Sequence, residues 1–350
     1  MPPLFFFAYT YLQPIINTTI VKSFYMRQTK LVLGGNDMQI QFLGTGAGMP
    51  SKERNTSSIA FKLLEERGSI WLFDCGEATQ HQILHTTVKP RKIDKIFITH
   101  LHGDHIFGLP GFLSSRSFLG GEDILTIYGP AGLQQWIEQT LQLSKTHLTY
   151  PIEFVEVKDG IVFEDEKFTV RALSLQHVVP CFGYRIEQKP MQGELLIDKA
   201  LALGVPKGPL LGQLKAGHSV QLEDGTVVES SDVTSPLQPG FTVAILGDTK
   251  YCENSIRLAQ NADVVVHEAT FDHSTIELAG KYGHATNTEA ATIAKEAQAG
   301  HLLLNHISAR FLKHDLIPFL EEANAIFANS YLANDFSQYE WRKNELLEIE

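Results

Sequence analysis

The segment His100-Leu101-His102-Gly103-Asp104-His105 puts four metal-binding side chains within six residues, directly after the apolar run Ile96-Phe97-Ile98-Thr99. A strand that ends in such a loop delivers imidazoles and a carboxylate to one point. At this spacing His100 and His102 share one cation, while Asp104 and His105 turn toward a second. Imidazole with carboxylate and no thiolate suits zinc, with manganese or iron next, in an open hydrolytic site.

Four ligands cannot fill two coordination spheres, so partners must come from other strand ends, which converge at one edge of a sheet. His177 follows Ala172-Leu173-Ser174-Leu175, Asp248 follows Val243-Ala244-Ile245-Leu246-Gly247, and His306 follows Leu302-Leu303-Leu304-Asn305. One ion then takes His100, His102 and His177, the other takes Asp104, His105 and His306, and Asp248 bridges them. A water between two ions about 3.5 Å apart is a natural nucleophile. His81, His85, His147, His218, His273, His301 and His314 follow no such pattern.

The elements that must position these residues are short β-like runs alternating with helical stretches. Strands are predicted at Ile40–Leu43, Ser58–Leu63, Ile70–Asp74, Ile96–Thr99, Leu125–Tyr128 and Phe168–Leu175, then at Tyr184–Glu187, Thr242–Leu246, Val264–His267 and Leu302–Asn305. The clearest helices are Gly132–Leu143, Glu289–Ala297 and Leu316–Ala325. This order implies an α/β sandwich with sheets inside and helices outside. Residues 188–222 break the rhythm, with Pro190, Pro206, Pro209 and five glycines, and read as an irregular, mildly basic excursion of functional type.

The chain has 350 residues, 43% hydrophobic and 20% charged, as in ordinary globular proteins. Its three cysteines are scattered, so a reducing cytoplasm is expected and Cys75 reads as a buried structural thiol. A net charge of −11 excludes a protein that coats nucleic acid non-specifically, but not one that holds it through a local patch and metals. Residues 1–37 fit neither a signal peptide nor a membrane span, because Pro14 and Asn17-Thr18-Thr19 interrupt the apolar runs and no basic residue precedes Lys22. They read as an extension outside the fold, with a weak membrane anchor as the alternative. The folded domain is expected at 38–335 and a C-terminal tail at 336–350.

The ligand pattern resembles the metallo-β-lactamase superfamily and, within it, the ribonuclease Z family. Gly44-Thr45-Gly46 and Phe73-Asp74-Cys75-Gly76-Glu77 match its opening strands. Pro50-Ser51-Lys52-Glu53-Arg54-Asn55 matches its Pro-x-Lys-x-Arg-Asn loop, and His267-Glu268-Ala269-Thr270 its His-Glu-Ala-Thr motif. Gly208-Pro209 through Gly217 and Leu222 resembles its projecting arm. The family's His-Ser-Thr stands here as His284-Ala285-Thr286, which keeps the histidine and drops one hydroxyl.

The resemblance implies a four-layer αβ/βα fold with a flexible arm, two zinc ions per subunit (manganese or iron as substitutes), a homodimer, and precursor tRNA as substrate, cut to remove its 3′ trailer. It implies Asp104 as acceptor of the attacking water's proton and His284, oriented by Glu268, as donor to the leaving oxygen. His267 is then structural. Lys52, Arg54, Asn55, Ser308 and Arg310 are expected near the cut, and Gly208 and Pro209 on the tRNA elbow. The rivals are a two-metal hydrolase of small esters on the same scaffold and an RNA-binding relative that has lost its metals; the full ligand set disfavours the second.

Overall fold

In the strand Ser69–Phe73, Trp71 and Phe73 pack to one side and Ile70 and Leu72 to the other, and none is more than 1% exposed. A strand apolar on both faces must lie between two layers. The computed structural model describes residues 38–191, 193–342 and 344–349, and that pattern recurs through it. Residues 1–37, read as an extension, lie outside the described residues.

One sheet has the order Glu345–Ile349, Gln338–Arg342, Met38–Gly44, Ser58–Leu63, Ser69–Phe73, Ile93–Phe97, Leu125–Gly129, Ile152–Glu156. The other runs Ser330–Leu332, His301–Asn305, Val264–Glu268, Thr242–Ile245, Cys181–Gln188, Phe168–Leu175, Gly160–Glu164. Between them lies a core rich in aromatic rings, with Phe42, Phe61, Trp71, Phe73 and Phe97 of the first sheet against Phe168, Tyr184 and Val243 of the second. Outside the first sheet, Phe112 and Leu113 of helix Leu109–Phe118 and Ile137 of helix Leu133–Leu143 cover Leu72, Ile96 and Ile127. Outside the second, Ile293 of helix Asn287–Glu296 and Phe319 of helix Leu316–Ile326 cover Val265 and Leu302. This is the four-layer αβ/βα metallo-β-lactamase sandwich.

Two boundaries differ from expectation. The described residues of 336–350 are not a tail: Gln338–Arg342 pairs with Met38–Gly44, and Glu345–Ile349 pairs with Gln338–Arg342. The physical reason is the alternation Tyr339-Glu340-Trp341-Arg342, which buries both rings in the central core and turns the charges away from it. The excursion does not stop at Leu222 either, and it is not irregular. It runs from Lys189 to Gly240, between strands Cys181–Gln188 and Thr242–Ile245, and is closed at its base by reciprocal backbone hydrogen bonds of 2.9 Å between Met191 and Gln238. Helices Ile197–Ala202 and Pro209–Lys215 and the pair Val220–Gln221/Val227–Val228 bury Ala200, Val205, Leu214, Val220, Val228 and Val233 in a core of their own. Helices of two turns are too short to show in hydrophobic periodicity, which is why this segment reads as loop.

Candidate metal centre and active site

Every predicted ligand emerges where a strand stops. His100 and His102 follow strand Ile93–Phe97, and the one-turn helix Gly103–Ile106 carries Asp104 and His105. His177, Asp248 and His306 follow strands Phe168–Leu175, Thr242–Ile245 and His301–Asn305. His306 turns inward at a left-handed φ of 56°, a conformation rare outside glycine.

The outer nitrogens fix the tautomers. Thr99 Oγ1 donates to Asp74 Oδ2 at 2.9 Å, so at 3.0 Å it must accept from His100 Nδ1–H. Thr270 Oγ1 likewise donates to Glu268 Oε2 at 2.7 Å and accepts from His306 Nδ1–H at 2.8 Å. His105 Nδ1–H donates to Asp74 at 2.8 Å, and His177 Nδ1–H to the Gly283 carbonyl at 2.7 Å. The Nε2 lone pairs of all four rings are thereby free to ligate.

Those lone pairs converge. His102 Nδ1 lies 3.0 Å from His100 Nε2 and 3.2 Å from His177 Nε2. His105 Nε2 lies 3.2 Å from His306 Nε2, and Asp104 Oδ2 is 3.3 Å from the latter. Asp248 reaches toward both groups, with Oδ1 3.5 Å from His105 Nε2 and Oδ2 3.7 Å from His100 Nε2. Burial first, then the neighbouring imidazoles, lowers the pKa of His100, and burial also lowers that of His102, so both rings stay neutral. Neutral lone pairs this close repel unless a cation sits among them. Tetrahedral ligands at about 2.1 Å from an ion would be about 3.4 Å apart, close to these spacings. Burial works against ionisation of Asp248, yet among the imidazoles that surround it the carboxylate lies well below its usual range and stays ionised. The donor set fits a metal: His100, His102, His177 and Asp248 gather in one group, Asp104, His105 and His306 in a second, and Asp248 and His306 also meet His284 in a third.

Beside the first two groups, His284 Nδ1 donates to Glu268 Oε1 at 2.9 Å and lies 3.8 Å from Asp248. Burial pushes the His284 imidazole down, but the charge and hydrogen bond of Glu268 prevail and raise its pKa to about 9. Thr249 N–H and Thr270 Oγ1 donate to Glu268 at 2.8 and 2.7 Å, which fixes the carboxylate. Ala285, in place of the family serine, is fully buried, and Thr286 caps helix Asn287–Glu296 in a capping box with Glu289. His267 is buried outside the clusters and donates Nδ1–H to the Glu268 carbonyl at 2.7 Å.

A cavity of about 380 Å³ opens onto His102, Asp104, His177, Asp248, His284 and His306, and Ser308 and Arg310 line it as well. Lys52 is exposed on its loop. Arg54 is not available there: it is buried, and its guanidinium donates to Thr45 Oγ1, the Ala333 carbonyl and Asn334 Oδ1 at 2.6–2.8 Å. Asn55 likewise holds the Glu77 carbonyl at 2.7 Å, so these two residues shape the loop. Gly208 and Pro209 open a helix of the insertion and do not line the cavity. Sequence reasoning missed Asp74 and Thr270 as orienting groups. Each directly follows or lies just beyond a strand end, as the ligands do, and each falls within a motif quoted above, but a motif does not say which of its oxygens orients a ring.

Residues 38–193 match the family of the anti-Pycsar protein Apyc1. Ribonuclease Z of Limosilactobacillus fermentum is 56% identical over 304 residues, spanning 87% of this chain and 98% of that protein. Ribonuclease Z of Bacillus mycoides is 56% identical over 303 residues, 86% and 99% of the two chains. The chain belongs to the ribonuclease Z family. Among solved structures, the short form of human tRNase Z superposes with a TM-score of 0.62 at 31% identity, covering 86% of this chain and 98% of that one. The metallo-β-lactamase fold protein YhfI of Bacillus subtilis, at 24% identity, shares the fold with a TM-score of 0.61 over 87% of this chain and 99% of its own. As a ribonuclease Z family member the chain is a hydrolase of the nuclease class with a metal cofactor.

Proposed function

We propose that the chain is a zinc-dependent endoribonuclease that removes the 3′ trailer from precursor tRNA, leaving a 3′-hydroxyl on the tRNA and a 5′-phosphate on the trailer. Two zinc ions, with manganese or iron as substitutes, would be held by His100, His102 and His177 and by Asp104, His105 and His306, with Asp248 between. Bound there, they supply electrophilic contacts to the scissile phosphate and make water acidic enough to attack it.

The chain's own residues do the rest. Asp104, whose carboxylate accepts the Gly48 N–H at 2.7 Å and lies beside the His105 and His306 rings, takes the proton of the attacking water. His284 gives a proton to the departing 3′ oxygen, and Glu268 holds it charged and in place. Lys52, Ser308 and Arg310 are the candidates for phosphate contacts, and the insertion around Gly208 and Pro209 for the tRNA body. A homodimer, in which the insertion of one subunit serves the other, and a cytoplasmic location with reduced thiols belong to the same reading.

The observation that carries it is the 3.8 Å approach of the Glu268-bound His284 to Asp248, where the two donor clusters meet, in a chain of this family. The test is cleavage of end-labelled precursor tRNA by metal-loaded protein, with product ends mapped. A zinc-dependent cut after the base that precedes CCA is expected. No tRNA cleavage, with small phosphodiesters still hydrolysed, would overturn the substrate.

A further inference from the structure

The cavity wall contains two aromatic rings that the reaction above does not use. Phe271 lies 6.0 Å from the His284 ring, and Tyr282 lies parallel to Phe271, 2° between planes and 6.5 Å between centres. The Arg310 guanidinium sits 4.5 Å from the centre of Phe271, and Lys281 Nζ 5.8 Å from that of Tyr282. Phe271 is buried, whereas Tyr282 is 51% exposed. Two rings with cations over them suit a flat, electron-rich group attached to an anion, which describes a nucleotide.

Which nucleotide follows from the chemistry. The oxygen that leaves is the 3′ oxygen of the last nucleotide kept on the tRNA, so the ribose of that nucleotide must touch the proton donor His284. Its base, on the same ribose, then falls on a neighbour of His284. Of those neighbouring rings, His177 and His306 belong to the metal donors, and Phe271 does not. We propose that Tyr282 and Phe271, with the Arg310 guanidinium, form a stacking platform for the base of the last retained nucleotide, and that the platform favours purines over pyrimidines. Stacking area alone sets this preference, since no base-edge donor or acceptor is invoked. The inference rests on the function proposed above.

The experiment compares metal-loaded full-length wild type, Tyr282→Ala and Tyr282→Phe on precursor tRNAs carrying adenine, guanine, cytosine, uracil or an abasic site at that position. Wild type is expected to cleave the purine substrates with a kcat/KM on the order of tenfold above the abasic one. In Tyr282→Ala that ratio collapses toward one, and Tyr282→Phe restores it. An unchanged purine-to-abasic ratio in Tyr282→Ala, with cleavage still occurring, overturns the platform alone. Failure of wild type to cleave any of the RNAs overturns the tRNA function and the platform with it.

Discussion

Glu268 decides the protonation of His284, and that sets a pH dependence. A proton donor works only while it carries its proton, and the Glu268 charge keeps His284 protonated up to about pH 9. Glu268→Gln removes the charge, lowers the imidazole pKa, and so empties the donor at lower pH. Expected is a kcat reduced on the order of 100-fold and an alkaline limb of the kcat profile displaced to lower pH. A reduced kcat with an unmoved limb would make Glu268 a packing residue. Asp74 acts one layer further out, on His105 and on Thr99. Asp74→Asn keeps the shape and loses the charge, and metal affinity measured by competition with a chromogenic chelator should fall about 10- to 100-fold. Unaltered affinity would remove Asp74 from the metal site.

At the scale of elements, the insertion and the C-terminal hairpin make opposite predictions. The insertion buries its own small core around Leu214. Leu214→Ala should cost about 2–5 kcal/mol within that module and abolish precursor tRNA cleavage while bis-(p-nitrophenyl) phosphate turnover persists. Loss of both activities together would show that the module and the sandwich do not unfold separately. Trp341, by contrast, sits in the core shared by both sheets, beside Met38. Trp341→Ala should destabilise the whole domain by about 3–5 kcal/mol, seen as one lowered denaturant midpoint with both activities intact below it. Hydrogen exchange that loosens only residues 338–349 would argue for a dispensable edge.

For the whole molecule, a metal bound among these donors would add to the fold's stability, because the donors come from four strand ends in two sheets. With free metal at a hundred times its Kd, binding stabilises the native state by roughly 3 kcal/mol. Chelation should therefore lower the melting temperature by several degrees, and added zinc should restore it. No change on chelation would mean that the imidazoles are held by packing alone. The same burial silences the thiols: Cys75 has its pKa pushed up to about 12, and all three cysteines are buried. Iodoacetamide should label none of them in the native protein and all three in urea. Among the described residues, no helix is long and apolar enough to cross a membrane.

The sequence alone determined which donors stand at strand ends, where the fold brings them together, and the strands that deliver them. A donor placed after an apolar run needs only local order to be recognised, and strands apolar on both faces imply layers on both sides. His284, Glu268 and the loop around Lys52 were legible only through family likeness, because a lone histidine before a helix carries no local signature. Tertiary structure decided what depends on neighbours distant in the chain. It placed Arg54 inside, among Thr45, Ala333 and Asn334, rather than at a phosphate. It made a hairpin of residues that read as a tail and gave the insertion a core. It also aligned Phe271 and Tyr282 beside His284. Identity and spacing reveal which groups can act; only the packing of separate elements determines which of those groups still have a free valence in the folded chain.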